Sequence, residues 1–310
     1  MAERSAPPFT PGDRATLLCV GHQLDVLHAR LPERGGTKAQ DLSARDACAV
    51  PRGRSFIVRT GLSRDLPVAG EWFELTVERA WRFGGGNYLK GEVTRCWLDL
   101  EALALPTLDL LYEGPWTVAG WLHDSGLEPN DLESAYETVL STPERRQVEM
   151  ERVSPEPFTR LELEEHAILE SIAWRDMGDP MHAEKLLSEL LRQDLRCVDA
   201  HAHLGHLHME GYWGRPRPER ARRHYQVGVA IAESALAPDG SDVTPKGMID
   251  NRPYLRALHG LGLATWALGD QKEAERLFER LLWRDPTDGA GARFLLEDLR
   301  RGARYEEAGP

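Results

Sequence analysis

Cysteine is scarce in this 310-residue chain: Cys19, Cys48, Cys96 and Cys197 lie far apart, with no Cys-x-x-Cys pair. That excludes a disulfide framework. The expected compartment is a reducing cytoplasm, with each thiol a small buried apolar group. An excess of basic residues is missing as well. The net charge is −12, which argues against a general binder of nucleic acid or membrane surfaces while leaving room for a local basic patch. No apolar run approaches the roughly 18 residues that a membrane helix needs. Residues 1–9 read as a disordered polar tail without the apolar core of a secretory signal. There is no Gly-x-Ser-x-Gly, His-Glu-x-x-His or Walker loop, so no catalytic residue, cofactor or metal is assigned. Disorder of the whole chain is excluded in turn, because 41% of the residues are hydrophobic.

What is present divides the chain by period. Residues 10–115 have β character. Ser55–Thr60 is rich in β-branched residues and lies between Gly53 and Gly61, and Phe73, Leu75 and Val77 alternate in the manner of a half-buried strand. Gly84-Gly85-Gly86-Asn87 is a hairpin turn, not a phosphate loop, because the segment beyond it reads as strand and not as helix. Short strands joined by Gly and Pro turns suggest a small barrel or sandwich. Residues 116–157 carry recurrent prolines and many acids and read as a linker.

The remainder, 158–310, reads as all-helical, so the fold class is α+β in several domains. Leu161, Ile168, Leu169 and Ile172 mark one helix. Gly178 ends it, and Asp179-Pro180 opens the next. The clearest repeat has Leu258, Leu261, Gly262, Gly269, Ala274, Phe278 and Pro286. Gly262 permits close approach, Gly269 turns the chain, Asp270 with Glu273 caps the following helix, and Phe278 fills the space toward the neighbouring repeat. These are the marks of tetratricopeptide-type repeats, placed at about 164–197, 198–236 and 255–288, with a terminal capping helix after Gly291. Asp250 and Asn251 are read as caps of the helix that starts near Pro253.

A closer resemblance lies in Leu195–Gly205, Arg223–Gly228 and Ile249–Gly260. These segments are similar to motifs of a bacterial family of tetratricopeptide-repeat proteins whose activity is not established. In that family a β-rich part resembling residues 70–115 precedes the repeats. The expected function follows from the repeats themselves, whose curved groove suits a cytoplasmic scaffold that holds a peptide or partner protein.

Three constellations are candidate sites. His201, His203, His206 and His208 crowd one short stretch. His203 and His206 are placed toward the groove, while His201 and His208 hold interior aromatic positions; a metal-dependent enzyme here is the weakest reading. Arg252, Arg256, His259 and Trp266 complete the groove assignment. Arg215, Arg217, Arg220 and Arg223 form a basic insertion able to contact phosphate or carboxylate. The rival to the scaffold is an RNA-associated protein whose barrel presents Trp81, Arg82, Tyr88, Lys90 and Arg95 as a basic, aromatic face. A membrane partner is not expected.

Overall fold

The computed structural model describes residues 8–23, 26–32, 50–61, 66–126, 128, 134–142, 144–153, 167–212 and 214–306. Most of the expected tail, Cys48, Leu161, Trp213 and the proposed start of the first repeat lie outside them. The chain divides into two compact units: Met1–Pro106 with Ser154–Ala200, and Thr107–Val153 with His201–Pro310. No helix among the described residues is long and apolar enough to cross a membrane.

The first unit is built on β1 (Arg14–Gln23), β2 (Val26–Pro32), β3 (Gly53–Thr60), β4 (Trp72–Phe83) and β5 (Gly86–Trp97), followed by the single turn α1 (Leu100–Leu103). The strands close a barrel in the order β1-β2-β3-β5-β4. Neighbours run antiparallel except β3 and β5, which are parallel. Closure pairs every edge, which removes the exposed strand that would otherwise invite aggregation. Alternation sets the inside: Leu17, Leu27, Phe56, Val58, Phe73 and Leu75 fill the barrel core. The expected hairpin is present. Gly84 and Gly85 turn it with φ of +56° and +82°, the backbone sign that matches the twist of the flanking strands.

The second unit opens with β6 (Leu110–Thr117), α2 (Val118–Ser125), α3 (Glu137–Leu140) and β7 (Glu144–Met150). The stretch expected as a linker is therefore built structure. Its strands join β8 (Asp242–Val243) in a sheet of order β6-β7-β8, and Trp116, Trp121, Tyr136 and Val148 are buried within it. The strand pattern of β7 is disguised because one inward residue is Arg145, only 4% exposed. Its guanidinium lies 4.7 Å from the ring centre of Trp116 and 3.9 Å from that of Trp283, and Nη1 donates to the Trp283 carbonyl at 2.6 Å. Two indole faces and a carbonyl replace part of the lost water. Burial, and next the Arg284 charge, still lowers its pKa to about 10.

The helices are α4 (Ala167–Asp176), α5 (Pro180–Gln193), α6 (Val198–Glu210), α7 (Pro218–Glu233), α8 (Arg252–Ala267), α9 (Gln271–Arg284) and α10 (Ala292–Arg300). The division does not follow the expected 158–310 domain. α4 and α5 belong to the barrel's unit, where Ser188 Oγ donates to the His22 carbonyl at 3.0 Å. Caps fall where their residue types indicate. Asp179 accepts from the His182 N–H and Asp270 from the Glu273 N–H. In the second unit, aromatic rings enter notches left by helical glycines. A Cβ at Gly205 or Gly260 would lie 2.6 or 2.3 Å from the Tyr225 ring, and one at Gly262 would lie 2.6 Å from Phe278.

Asn251 corrects the capping expectation. Its side chain caps nothing on α8. Instead Oδ1 accepts from the Met150 N–H at 2.9 Å, and Nδ2 donates to the carbonyls of Val148 and Pro245 at 2.9 and 3.2 Å. It is fully buried and joins β7 to the start of α8. The long connection between α7 and α8 is likewise structural. The Asp242 carboxylate, wholly buried, accepts from the Ala237 N–H and pairs with Arg146 at 3.3 Å.

Candidate functional site

On the barrel, burial of Leu27, Ala29, Phe56, Val58 and Leu89 turns the alternate residues of β2, β3 and β5 outward. Register then lines them up across strands. His28 stands opposite Ile57, Ile57 opposite Tyr88, and Tyr88 opposite Trp81. A bulge between Val77 and Arg79 re-aims β4, so that Arg79 and Trp81 share the outward face. The Trp81 and Tyr88 rings stack with centres 5.4 Å apart and planes 14° apart. Arg79 lies 5.3 Å from the Trp81 ring centre.

Cations flank this row on both sides. Arg59 stands opposite Lys90, and Lys90 opposite Arg79. On the other side Arg30 stands opposite Ser55; Arg82, opposite Asn87, is exposed beside Trp81 at the turn end of the hairpin, on the alternate side of its strand. Asn87 knits the two strands, accepting from Arg82 Nε at 3.0 Å and donating to the Ser55 carbonyl at 3.1 Å. Glu78 neutralises Lys90 at 3.0 Å. Arg30, Arg59, Arg79 and Arg82 have no ion-pair partner among the described residues.

At the His28 end of the row lies a cleft of about 420 Å³, lined by His28, Arg30, Ser55, Ile57, Asn87 and Arg192 among others. Helix α5 supplies Arg192. Its stem lies on the barrel wall at Gly21, where a Cβ would come within 3.0 Å of Arg192 Cγ. Arg192 Nη1 is 3.4 Å from His28 Nε2. Arginine only donates, so Nε2 accepts and the imidazole proton sits on Nδ1. The neutral ring fits its surroundings: burial first, then Arg192 and His22, hold His28 below the usual imidazole range. Arg30 Nη1 donates to the Pro51 carbonyl at 3.1 Å, while its buried Nε has no hydrogen-bond partner among the described residues.

The expected groove residues separate. Trp266 is only 2% exposed, its ring edge-on to Phe278 and to Tyr305 at 6.5 and 6.2 Å. It is a core residue, because the chain beyond α10 returns to cover it. His203 is 8% exposed and also interior. His206 is half-buried and pairs with Glu210 at 2.9 Å. Arg252 and Arg256 are exposed and His259 is half-buried, all on one face of α8. Burial, then Lys246, lowers the His259 pKa to about 4, so this imidazole is neutral at pH 7.

The residues of the basic insertion differ in exposure. Arg215 and Arg217 are exposed, Arg223 is half-buried, and Arg220 Nε donates to His208 Nε2 at 3.1 Å. His201 and His208 are interior and flank His224, with ring centres 5.9 and 5.6 Å from it. Among the described residues no group of three His, Cys, Asp or Glu side chains is placed to hold a metal ion. On the barrel, Arg95 departs from the expected face: it lies over Trp97 at 5.0 Å, at the opposite end of the β4–β5 hairpin from Trp81.

Sequence reasoning missed His28, Arg30, Ile57, Arg59 and Arg192. The alternation around Phe56 and Val58 marks the outward residues of β3, but nothing local pairs them with Tyr88. No family model, no curated protein and no solved structure matches this chain.

Proposed function

We propose that the chain binds single-stranded nucleic acid across the outward face of its barrel. The observation that carries this reading is the four-strand row His28–Ile57–Tyr88–Trp81, with arginines on both flanks. Unpaired bases stack on exposed aromatic rings, and guanidinium groups neutralise the phosphates beside them. A small five-stranded barrel is a recurrent support for this work, with ligand lying over strands 2 and 3 and the loop between 4 and 5. A duplex keeps its bases stacked on one another and gains little from such a platform. The net charge of −12 opposes long-range attraction, so affinity depends on the local arginines.

The test is fluorescence anisotropy with a labelled single strand and its duplex at two salt concentrations. The single strand is expected to bind in preference. Contacts from about four cations give a slope near −2.8 in log K against log salt, about a fiftyfold loss between 50 and 200 mM. Equal binding of the duplex, or affinity indifferent to salt, refutes the reading.

A second reading rests on the helices of the second unit. The ring-into-glycine packing of Tyr225 and Phe278 supports tetratricopeptide-type repeats, and with them a cytoplasmic scaffold for a partner protein. What favours it is the α8 face, where Arg252 and Arg256 are exposed and suit an acidic peptide. In selection from a library rich in Asp and Glu, acidic sequences should be enriched and lose about tenfold or more of their affinity for Arg252→Glu/Arg256→Glu. Enrichment indifferent to that pair of changes ends this reading.

A further inference from the structure

The cleft at the His28 end of the barrel face has features that a through-going platform does not require. The row that begins at Trp81 ends at His28, and Arg192 of α5 stands against that last residue. Helix α5 is fixed there from several directions. Ser188 bonds the His22 carbonyl, Glu184 lies 3.5 Å from His22, and the Arg192 stem rests on Gly21. A strand running along the row toward His28 therefore meets a wall, not open surface.

The wall is chemically specific. Two guanidiniums, Arg30 and Arg192, line one cavity with no carboxylate among the described lining residues. Arg30 brings a buried N–H with no hydrogen-bond partner among the described residues, which is costly until an acceptor arrives. Ser55 and Asn87 add polar rim, and Ile57 and Phe56 supply an apolar side. The volume, about 420 Å³, is that of a pocket for a small organic ligand and not for a bare ion.

We infer that this cleft is a pocket for a phosphomonoester, the terminal phosphate of a strand lying on the barrel face. The inference rests on the nucleic-acid reading and adds an end-specificity to it. A terminal phosphate is a dianion and matches two arginines; an internal phosphodiester carries one charge and needs an exit on both sides. Bidentate donation from a planar fork suits phosphate oxygens, and the neutral His28 holds Arg192 without competing for the anion.

The experiment compares three forms of one oligonucleotide, ending in 5′-phosphate, 3′-phosphate or hydroxyl only, by anisotropy competition on the full chain. Adenosine monophosphate is titrated separately. One of the phosphorylated forms is expected to bind about tenfold or more tightly than the hydroxyl form. Arg192→Gln, shown by thermal melting to be folded, should bring the two to the same affinity, and Arg192→Lys should restore part of the difference. Equal affinity of all three forms for the natural chain overturns the pocket while leaving the platform standing. An advantage that survives in Arg192→Gln overturns it as well. Binding of the monophosphate alone, lost in Arg192→Gln, upholds the pocket and removes the platform. No binding of any probe removes both.

Discussion

Replacing Trp81 and Tyr88 together by alanine is expected to weaken single-strand binding by about 30- to 1,000-fold while leaving the barrel folded. The effect follows from where the two rings are. Both belong to the outward side of the β4–β5 hairpin, stacked on each other at 5.4 Å, and neither is part of the barrel core. Base–aromatic stacking is worth about 1–3 kcal/mol per base, so loss of a platform for one or two bases removes about 2–4 kcal/mol. Stability falls too, by about 1–3 kcal/mol, because both rings are half-buried and lose buried apolar area along with their cross-strand contact.

Trp97 is the internal control. It lies at the other end of the same hairpin, under Arg95, and offers the same chemistry in the wrong place. Trp97→Ala should change affinity less than twofold. An equal loss from Trp97→Ala, or no loss from the double change, is incompatible with binding across the His28–Trp81 row. The measurement is equilibrium anisotropy at fixed salt, with thermal melts of each variant.

The second large effect concerns stability. Phe278→Ala is expected to destabilise the second unit by about 3–5 kcal/mol. The ring is fully buried and fits the notch at Gly262. It also touches Trp266 and His259, with ring centres 6.5 and 6.1 Å away. Its loss leaves a cavity where three helical side chains meet. Gly262→Ala attacks the same joint from the other side. The added Cβ would stand 2.6 Å from the ring, and the resulting overpacking costs about 1–3 kcal/mol. That outweighs the gain of about 1 kcal/mol that alanine brings to a helix interior. The two changes share one volume, so the double variant should lose less than the sum of the single ones. Denaturant melts of all three variants test this; strict additivity contradicts the notch.

His259 supplies an independent readout of the same joint. Burial is the first cause of its low pKa of about 4. A cavity that admits water should move it up toward 6.5, its unperturbed value. The sign for stability is fixed by this direction. A histidine whose folded pKa is depressed stabilises fully above its unfolded pKa, and that contribution fades as pH falls from about 6.5 toward 4. Phe278→Ala should therefore show a weaker loss of stability on acidification across that window. Titration of the imidazole resonances reports it directly.

The parts of the fold readable from residues alone are those whose cause is local. Gly84-Gly85 turns a hairpin because two successive positive φ angles suit glycine. Asp179 and Asp270 start helices because their carboxylates reach N–H groups three residues on. Gly262, Ala274 and Phe278 announce a close helix crossing by spacing alone, and the crossing is there. Period and capping act within a few residues of their cause.

What only the tertiary structure decided has its cause far away in sequence. Trp266 sits at a spacing that suits a groove, yet Tyr305 covers it. β7 escaped notice because burying Arg145 between Trp116 and Trp283 breaks the alternation by which strands are found. The aromatic row exists because β3 and β5 pair in parallel, a pairing set by closure of the whole barrel. Arg192 stands beside His28 across 164 residues of chain. Such neighbours are chosen by which surfaces the packed units leave together, and no local pattern encodes that choice.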